Sequence, residues 1–256
     1  MQITTTWLQQ KKEKRLQQPI QLSVWCQPLA SQTAFVDNDR CMPSASLIKI
    51  PIMIQAFRQA EKGCISFEMV LPLQHPVDGG SFGEKPEGTP VTICELVQHM
   101  IVESDNTCTN MLIDLLGMDA INEEIARQGM TNTVLQRKMM DFAAAKAGRE
   151  NKTTASDMGH VLWQLAQRNC LGNAVDEAML QILSRQEDNC ILPAQIPNPV
   201  RVDHKTGELD GIYHDCGIVW KDKAPYVCCL MADGIRDEAQ TISDLSYLAR
   251  DIYDIM

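Results

Sequence analysis

Ser46 and Lys49 stand at i and i+3 in the segment Pro43–Met53, ahead of a long apolar run. On a helix this spacing puts the amine beside the hydroxyl. A serine hydroxyl is a weak nucleophile until a base takes its proton. A lysine buried by the apolar run would lose its charge and become such a base. Two further triplets offer matching chemistry: Ser104-Asp105-Asn106 and Lys205-Thr206-Gly207. A second serine can relay a proton to a leaving group, and an asparagine can hold an amine or an amide. A lysine and a threonine together suit a substrate carboxylate, and Gly207 lets a ligand approach a strand edge closely. Each triplet has a plainer reading too. Ser104-Asp105-Asn106 is good helix-capping material, and Lys205-Thr206-Gly207 suits a strand entering a turn.

Taken together and in this order, Ser46-x-x-Lys49, Ser104-Asp105-Asn106 and Lys205-Thr206-Gly207 resemble the motif set of class A β-lactamases and penicillin-binding proteins. The resemblance runs over roughly residues 20–250 and is densest at Thr92–Leu116 and Asp203–Val219. It implies an acyl-serine mechanism. Ser46 attacks a carbonyl, Lys49 takes its proton, and Ser104 passes a proton to the leaving nitrogen. Asn106 holds Lys49 and a substrate amide, and Lys205 and Thr206 meet a carboxylate. The backbone N–H groups of Ser46 and Glu208 form the oxyanion hole.

The chain departs from that family in the loop that should supply a water-activating glutamate. The motif Glu-x-x-Leu-Asn is absent, and counting from Arg137 puts Met139 at the expected position. Asp141 is the nearest acid and is taken as the candidate base, with Glu150 a more distant second. After Gly207 there is no arginine; Glu208 and Asp215 bring negative charge instead, which disfavours an anionic substrate. The cysteines that pair in the helical lobe of some members have no counterpart, Met53 standing at one such position. His204 and His214, near the third motif, read as neutral core or surface histidines.

Around these motifs the chain must build a scaffold. Its 256 residues carry a net charge of −10, with 45% hydrophobic and 22% charged residues. That is ordinary globular composition, and the acidic balance argues against nucleic-acid binding. No stretch approaches a membrane span. The N-terminus lacks a signal pattern, so the expectation is a cytoplasmic chain, or a periplasmic or secreted one if a leader has been removed. Ten cysteines without metal-ligand spacing read mainly as buried reduced thiols, among them Cys94. No metal or cofactor is expected; the expected partner is a small molecule, a β-lactam or a small ester or amide.

The patterns predict a helix over 3–17, strands over 20–26 and 33–36, and a helix over 47–62 with Pro51 as an awkward interior residue. They predict a long loop over 65–91 with one short strand, and a capping box at Thr92–Glu95 opening a helix through Met100. Further helices are expected at 106–116, 120–127, 175–185 and, from a second capping box at Thr154–Asp157, to about Gln167. Residues 131–152 read as irregular. Strands at 200–204, 213–221 and 226–232 precede a helix at 242–255. The resulting fold class is an α/β two-lobe serine β-lactamase-like fold: an antiparallel sheet flanked by N- and C-terminal helices, plus an all-helical lobe. The chain is read as one such domain, with the α/β lobe at about 1–45 and 198–256 and the helical lobe at about 46–197. Three activities fit: β-lactam hydrolysis, hydrolysis of small esters or D-amino-acid amides, and acylation without turnover.

Overall fold

The computed structural model describes residues 3–256. Helix α1 (Thr5–Arg15) leads to β1 (Gln21–Pro28), β2 (Phe35–Asp37) and β3 (Met42–Pro43), and a 3-10 turn (Ala45–Ile48) runs into α2 (Lys49–Glu61). Then follow β4 (Val70–Pro72), β5 (Pro90–Thr92), α3 (Ile93–Val102), α4 (Asn106–Leu116), α5 (Met118–Arg127), α6 (Phe142–Lys146), β6 (Lys152–Thr153), α7 (Ala155–Ala166) and α8 (Asn173–Leu183). The last elements are β7 (Val202–Leu209), β8 (Ile212–Val219), β9 (Tyr226–Asp233) and α9 (Glu238–Ile255). An antiparallel sheet runs in the order β2-β1-β9-β8-β7, so strands from both ends of the chain share it.

The three central strands are buried almost throughout because both sheet faces are covered. Cys216, Ile218, Val227, Cys229 and Met231 join the core of the helical region, with Trp25 from β1. Leu22, Val24, Tyr213, Val219, Cys228 and Leu230 face the layer formed by α1 and α9. Lys11 and Arg15 of α1 bind Asp251 of α9 at 3.0 and 2.7 Å and fasten that layer. On the other face α7 comes so close that a side chain at Gly159 would meet the Trp25 ring at 2.3 Å.

Several expectations change in the structure. The segment after Ser46 opens as a 3-10 turn and α2 begins only at Lys49. Pro51 is then the third residue of α2, where backbone N–H groups have no intrahelical partner, and it costs nothing there. Thr92–Glu95 is a reciprocal capping box, with Glu95 N to Thr92 Oγ1 at 3.1 Å and Thr92 N to Glu95 Oε2 at 2.8 Å. Thr154–Asp157 is only half of one. Thr154 accepts from Asp157 N, but the Asp157 carboxylate takes the Asn132 N–H and the Thr133 hydroxyl. Residues 131–152 hold helix α6, and β6 begins at Lys152. Strand β7 extends to Leu209 because it pairs residue by residue with β8, from Val202↔Val219 to Leu209↔Ile212. All ten cysteines are free thiols; Cys94 is exposed, with Cys41 and Cys64, against expectation. No helix among the described residues is long and apolar enough to cross a membrane.

Candidate active site

The three motifs meet at the junction of the sheet edge and the helical region. Ser46 sits in the 3-10 turn, half-buried, after Ala45 at φ 45°. Ser104 lies between α3 and α4 at φ 60°. A positive φ is costly for both residue types, and such strain collects where side chains must be aimed. Lys205 comes from β7, the edge strand.

Lys49 is fully buried, and its Nζ donates to Ser104 O at 2.5 Å, Ser104 Oγ at 3.1 Å and Asn106 Oδ1 at 3.0 Å. Lys205, also buried, donates from Nζ to the same Ser104 Oγ at 3.1 Å and to Thr206 O at 3.1 Å. One hydroxyl therefore bridges two lysines. Burial first, then the charge of Lys205, pushes the Lys49 amine well below its ordinary pKa against the opposing pull of Asp105. Burial pushes Lys205 down to about 7, with Asp188 and Asp215 pulling it back up. Two ammonium groups sharing a dry site with one hydroxyl disfavour each other's charge.

The supports are equally specific. Asp105, buried, caps α4 through Cys108 N at 2.8 Å and also accepts Phe82 N at 2.8 Å. The capping reading of Ser104-Asp105-Asn106 is thus correct for Asp105, while its two neighbours meet Lys49. Asn106 Nδ2 donates to Asp78 O at 2.9 Å, which leaves Oδ1 for Lys49. Gly79 and Gly80 allow this: a Cβ there would lie 2.4 Å from Asn106 Nδ2 and 2.2 Å from Asp105 Oδ2. At Gly207 a Cβ would stand 3.2 Å from each of Ala45 Cβ, Ser44 O and Ser46 N. The missing side chain lets β7 close on the turn that carries Ser46, which brings the backbone of Glu208 and that of Ser46 to one place.

Ser46, Ser104, Asn106, Thr206 and Glu208 line an open cleft of about 660 Å³. Its far side is formed by Gln186–Asp188 and Tyr213, which the sequence reading did not connect to the site. Only the β7–β8 register and the return of the 186–189 segment bring them there. A smaller cavity of about 100 Å³ opens from Ser46 and Asn106 beneath the loop, lined also by Met139, Met140 and Glu150.

Asp141 is exposed, accepts Ala144 N at 2.9 Å as the N-cap of α6, and does not line either cavity. Met140 at φ 64° turns the chain just before it. The loop acid that lines the smaller cavity with Ser46 is Glu150, held by Arg137 Nε at 2.8 Å and Asn151 N at 2.9 Å. Met139 is itself fixed: its N–H donates to Asn110 Oδ1 at 2.8 Å and its carbonyl accepts Asn110 Nδ2 at 3.1 Å. Asp215 brings its charge to the site through Lys205 rather than from the cleft lining. It is buried behind the sheet, bonded to Leu192 N at 2.8 Å and His204 Nδ1 at 2.8 Å, and does not face the cleft. Among the described residues no group of three or more His, Cys, Asp or Glu is placed to hold a metal ion.

A turn carrying Ser46, a second serine bridging two buried lysines and a sheet edge closing on them fit a serine hydrolase of the β-lactamase type. The chain belongs to the Beta-lactamase enzyme family, whose model matches residues 9–256. The solved β-lactamase of Sphaerobacter thermophilus DSM 20745 is 25% identical and superposes with a TM-score of 0.89, covering 99% of each chain. PBP-A is 24% identical with a TM-score of 0.89, covering 98% of this chain and 96% of its own. The β-lactamase VEB-1 of Pseudomonas aeruginosa is 30% identical over 90 residues, 33% of this chain and 30% of VEB-1.

Proposed function

We propose that this hydrolase opens the amide of a β-lactam through an acyl-Ser46 intermediate. The observation that carries the reading is the Ser104 hydroxyl, 3.1 Å from both buried lysine amines in the cleft that holds Ser46. In the first step the Ser46 Oγ–H proton moves to the neutral Lys49 amine as Oγ bonds to the carbonyl carbon. The oxyanion sits against the N–H groups of Ser46 and Glu208, donors typically worth ~3–4 kcal/mol each. As the C–N bond breaks, the ring nitrogen takes a proton from Ser104, which is replenished from Lys49. Lys205 and Thr206 line the carboxylate side of the substrate.

Release needs water to attack the ester and a base to take its proton. The position from which the family supplies that base carries Met139, so acylation outruns release and acyl-Ser46 accumulates. This same feature favours a second reading, hydrolysis of small esters or D-amino-acid amides with β-lactams as slow substrates. Intact-mass spectrometry of the protein mixed with benzylpenicillin, sampled from seconds to hours, tests the proposal. The expected result is a persistent adduct of one penicillin mass, absent in Ser46→Ala. No adduct and no hydrolysed product would overturn it, and product without an adduct would mean that a working base has been missed.

A further inference from the structure

The cleft that holds Ser46 is lined by four carboxylates, Glu103, Glu187, Asp188 and Glu208, and by no lysine or arginine. Glu103 is turned away, toward Ser81 N at 3.2 Å and the His99 ring. Asp188 is built in. Buried Gln186 anchors its turn, donating to Ile101 O at 3.0 Å and accepting Glu187 N at 2.9 Å and Asp188 N at 3.2 Å. The Tyr213 hydroxyl donates to Asp188 Oδ2 at 2.6 Å. Partial burial works against its charge, yet hydrogen bonds from Cys190 and Tyr213 hold its carboxyl below the usual range.

The Thr206 hydroxyl is the donor that the motif offers to a substrate carboxylate. Here a carboxylate of the protein, Asp188, lines the same cleft as that hydroxyl. Glu187 and Glu208 stand exposed at the same rim. The two lysine amines nearby, Lys49 and Lys205, are buried and engaged with Ser104. A substrate anion entering beside Thr206 meets a fixed like charge, whereas a cation there meets a partner that needs no reorganisation.

We propose that Asp188, assisted by Glu187 and Glu208, makes this cleft select substrates that carry an ammonium or similar cation where an ordinary β-lactam carries its carboxylate. The inference rests on the acyl-Ser46 reading and names the substrate class of that site. Like-charged clefts change encounter rates by ~10–10³-fold, so the preference for a cation over an anion at that position is about 10-fold or more at low salt.

The test uses benzylpenicillin, its neutral methyl ester and its cationic 2-aminoethyl ester, and measures the second-order rate of adduct formation on Ser46 by intact mass. The expected order is cation, neutral, anion. The ratio of cation to anion should shrink with added salt. It should fall toward one in Asp188→Asn, and part of the way in Glu187→Gln, a surface exchange that leaves the packed turn intact. Benzylpenicillin reacting as fast as the aminoethyl ester, or a ratio unmoved by both variants, overturns the inference and leaves the acyl-Ser46 reading standing. No adduct from any of the three compounds overturns both.

Discussion

Replacing Met139 with glutamate puts a carboxylate into the small cavity beside Ser46. The two side chains are similar in length, and Met139 is only 8% exposed, so the exchange fills the same space. The backbone is already held from both sides by Asn110. The cavity of about 100 Å³ has room for water, which occupies ~30 Å³ per molecule in the liquid. A positioned general base contributes ~10²–10⁴-fold, so Met139→Glu should shorten the life of a penicillin adduct on Ser46 by about 100-fold or more and leave its formation nearly unchanged. A partly satisfied buried carboxylate costs ~1–3 kcal/mol. For a chain of this size that lowers the melting temperature by roughly 2–4 °C per kcal/mol. The assay is to form the adduct, remove free penicillin on a desalting column and follow the mass back to that of the free protein. A folded variant whose adduct persists as long as in the parent chain would refute the argument: the cavity would not be where water meets the ester.

Asp141→Ala should leave adduct lifetime unchanged, because Asp141 only caps α6; its cost is ~0.5–2 kcal/mol of local stability, read by hydrogen exchange over 142–147. Stability should rise with pH from about 7, because the unfolded chain carries a proton on Lys205 that the folded chain sheds near 7. Lys49 acts in the same direction. Above about pH 8.5 the buried thiols oppose this, since Cys108 and Cys170 keep their protons in the folded chain after the unfolded chain begins to lose them. Urea midpoints at pH 7.0, 7.75 and 8.5 measure the effect. The parent chain should gain ~1 kcal/mol per pH unit relative to Lys205→Met, and parallel profiles would show that Lys205 is charged throughout.

The parts of the site that the sequence disclosed are those written in neighbouring residues. Ser46 and Lys49 are set by helical spacing, Asp105 by capping chemistry and Thr92–Glu95 by a reciprocal box. For the candidate base, distance along a loop says nothing of direction. Asp141 lies two residues past Met139 but turns out to cap α6, whereas Glu150, further along, is drawn back by Arg137. Asp188 and Tyr213 carry no local signature, and only the β7–β8 pairing and the anchor at Gln186 give them a place. Thr154–Asp157 misled for a related reason. A carboxylate at the right spacing was claimed by Asn132 and Thr133, partners far away in sequence. Cys94 shows the same limit in the core: apolar neighbours in sequence do not say which side of α3 faces water.

The strand order β2-β1-β9-β8-β7 has a consequence for how the chain is born. Strand β7, which carries Lys205 and closes on Ser46, is tied to the N-terminal strands only through β8 and β9. Strand β9 is the last strand of this sheet to leave the ribosome, and long-range strand pairing is slow to form. Ser46 and Lys49 are synthesised early, yet they wait for nearly the whole chain before Lys205 is held beside Ser104. A chain cut short before β9 keeps the serine and loses the frame that makes it react, so covalent labelling of Ser46 counts finished, folded molecules.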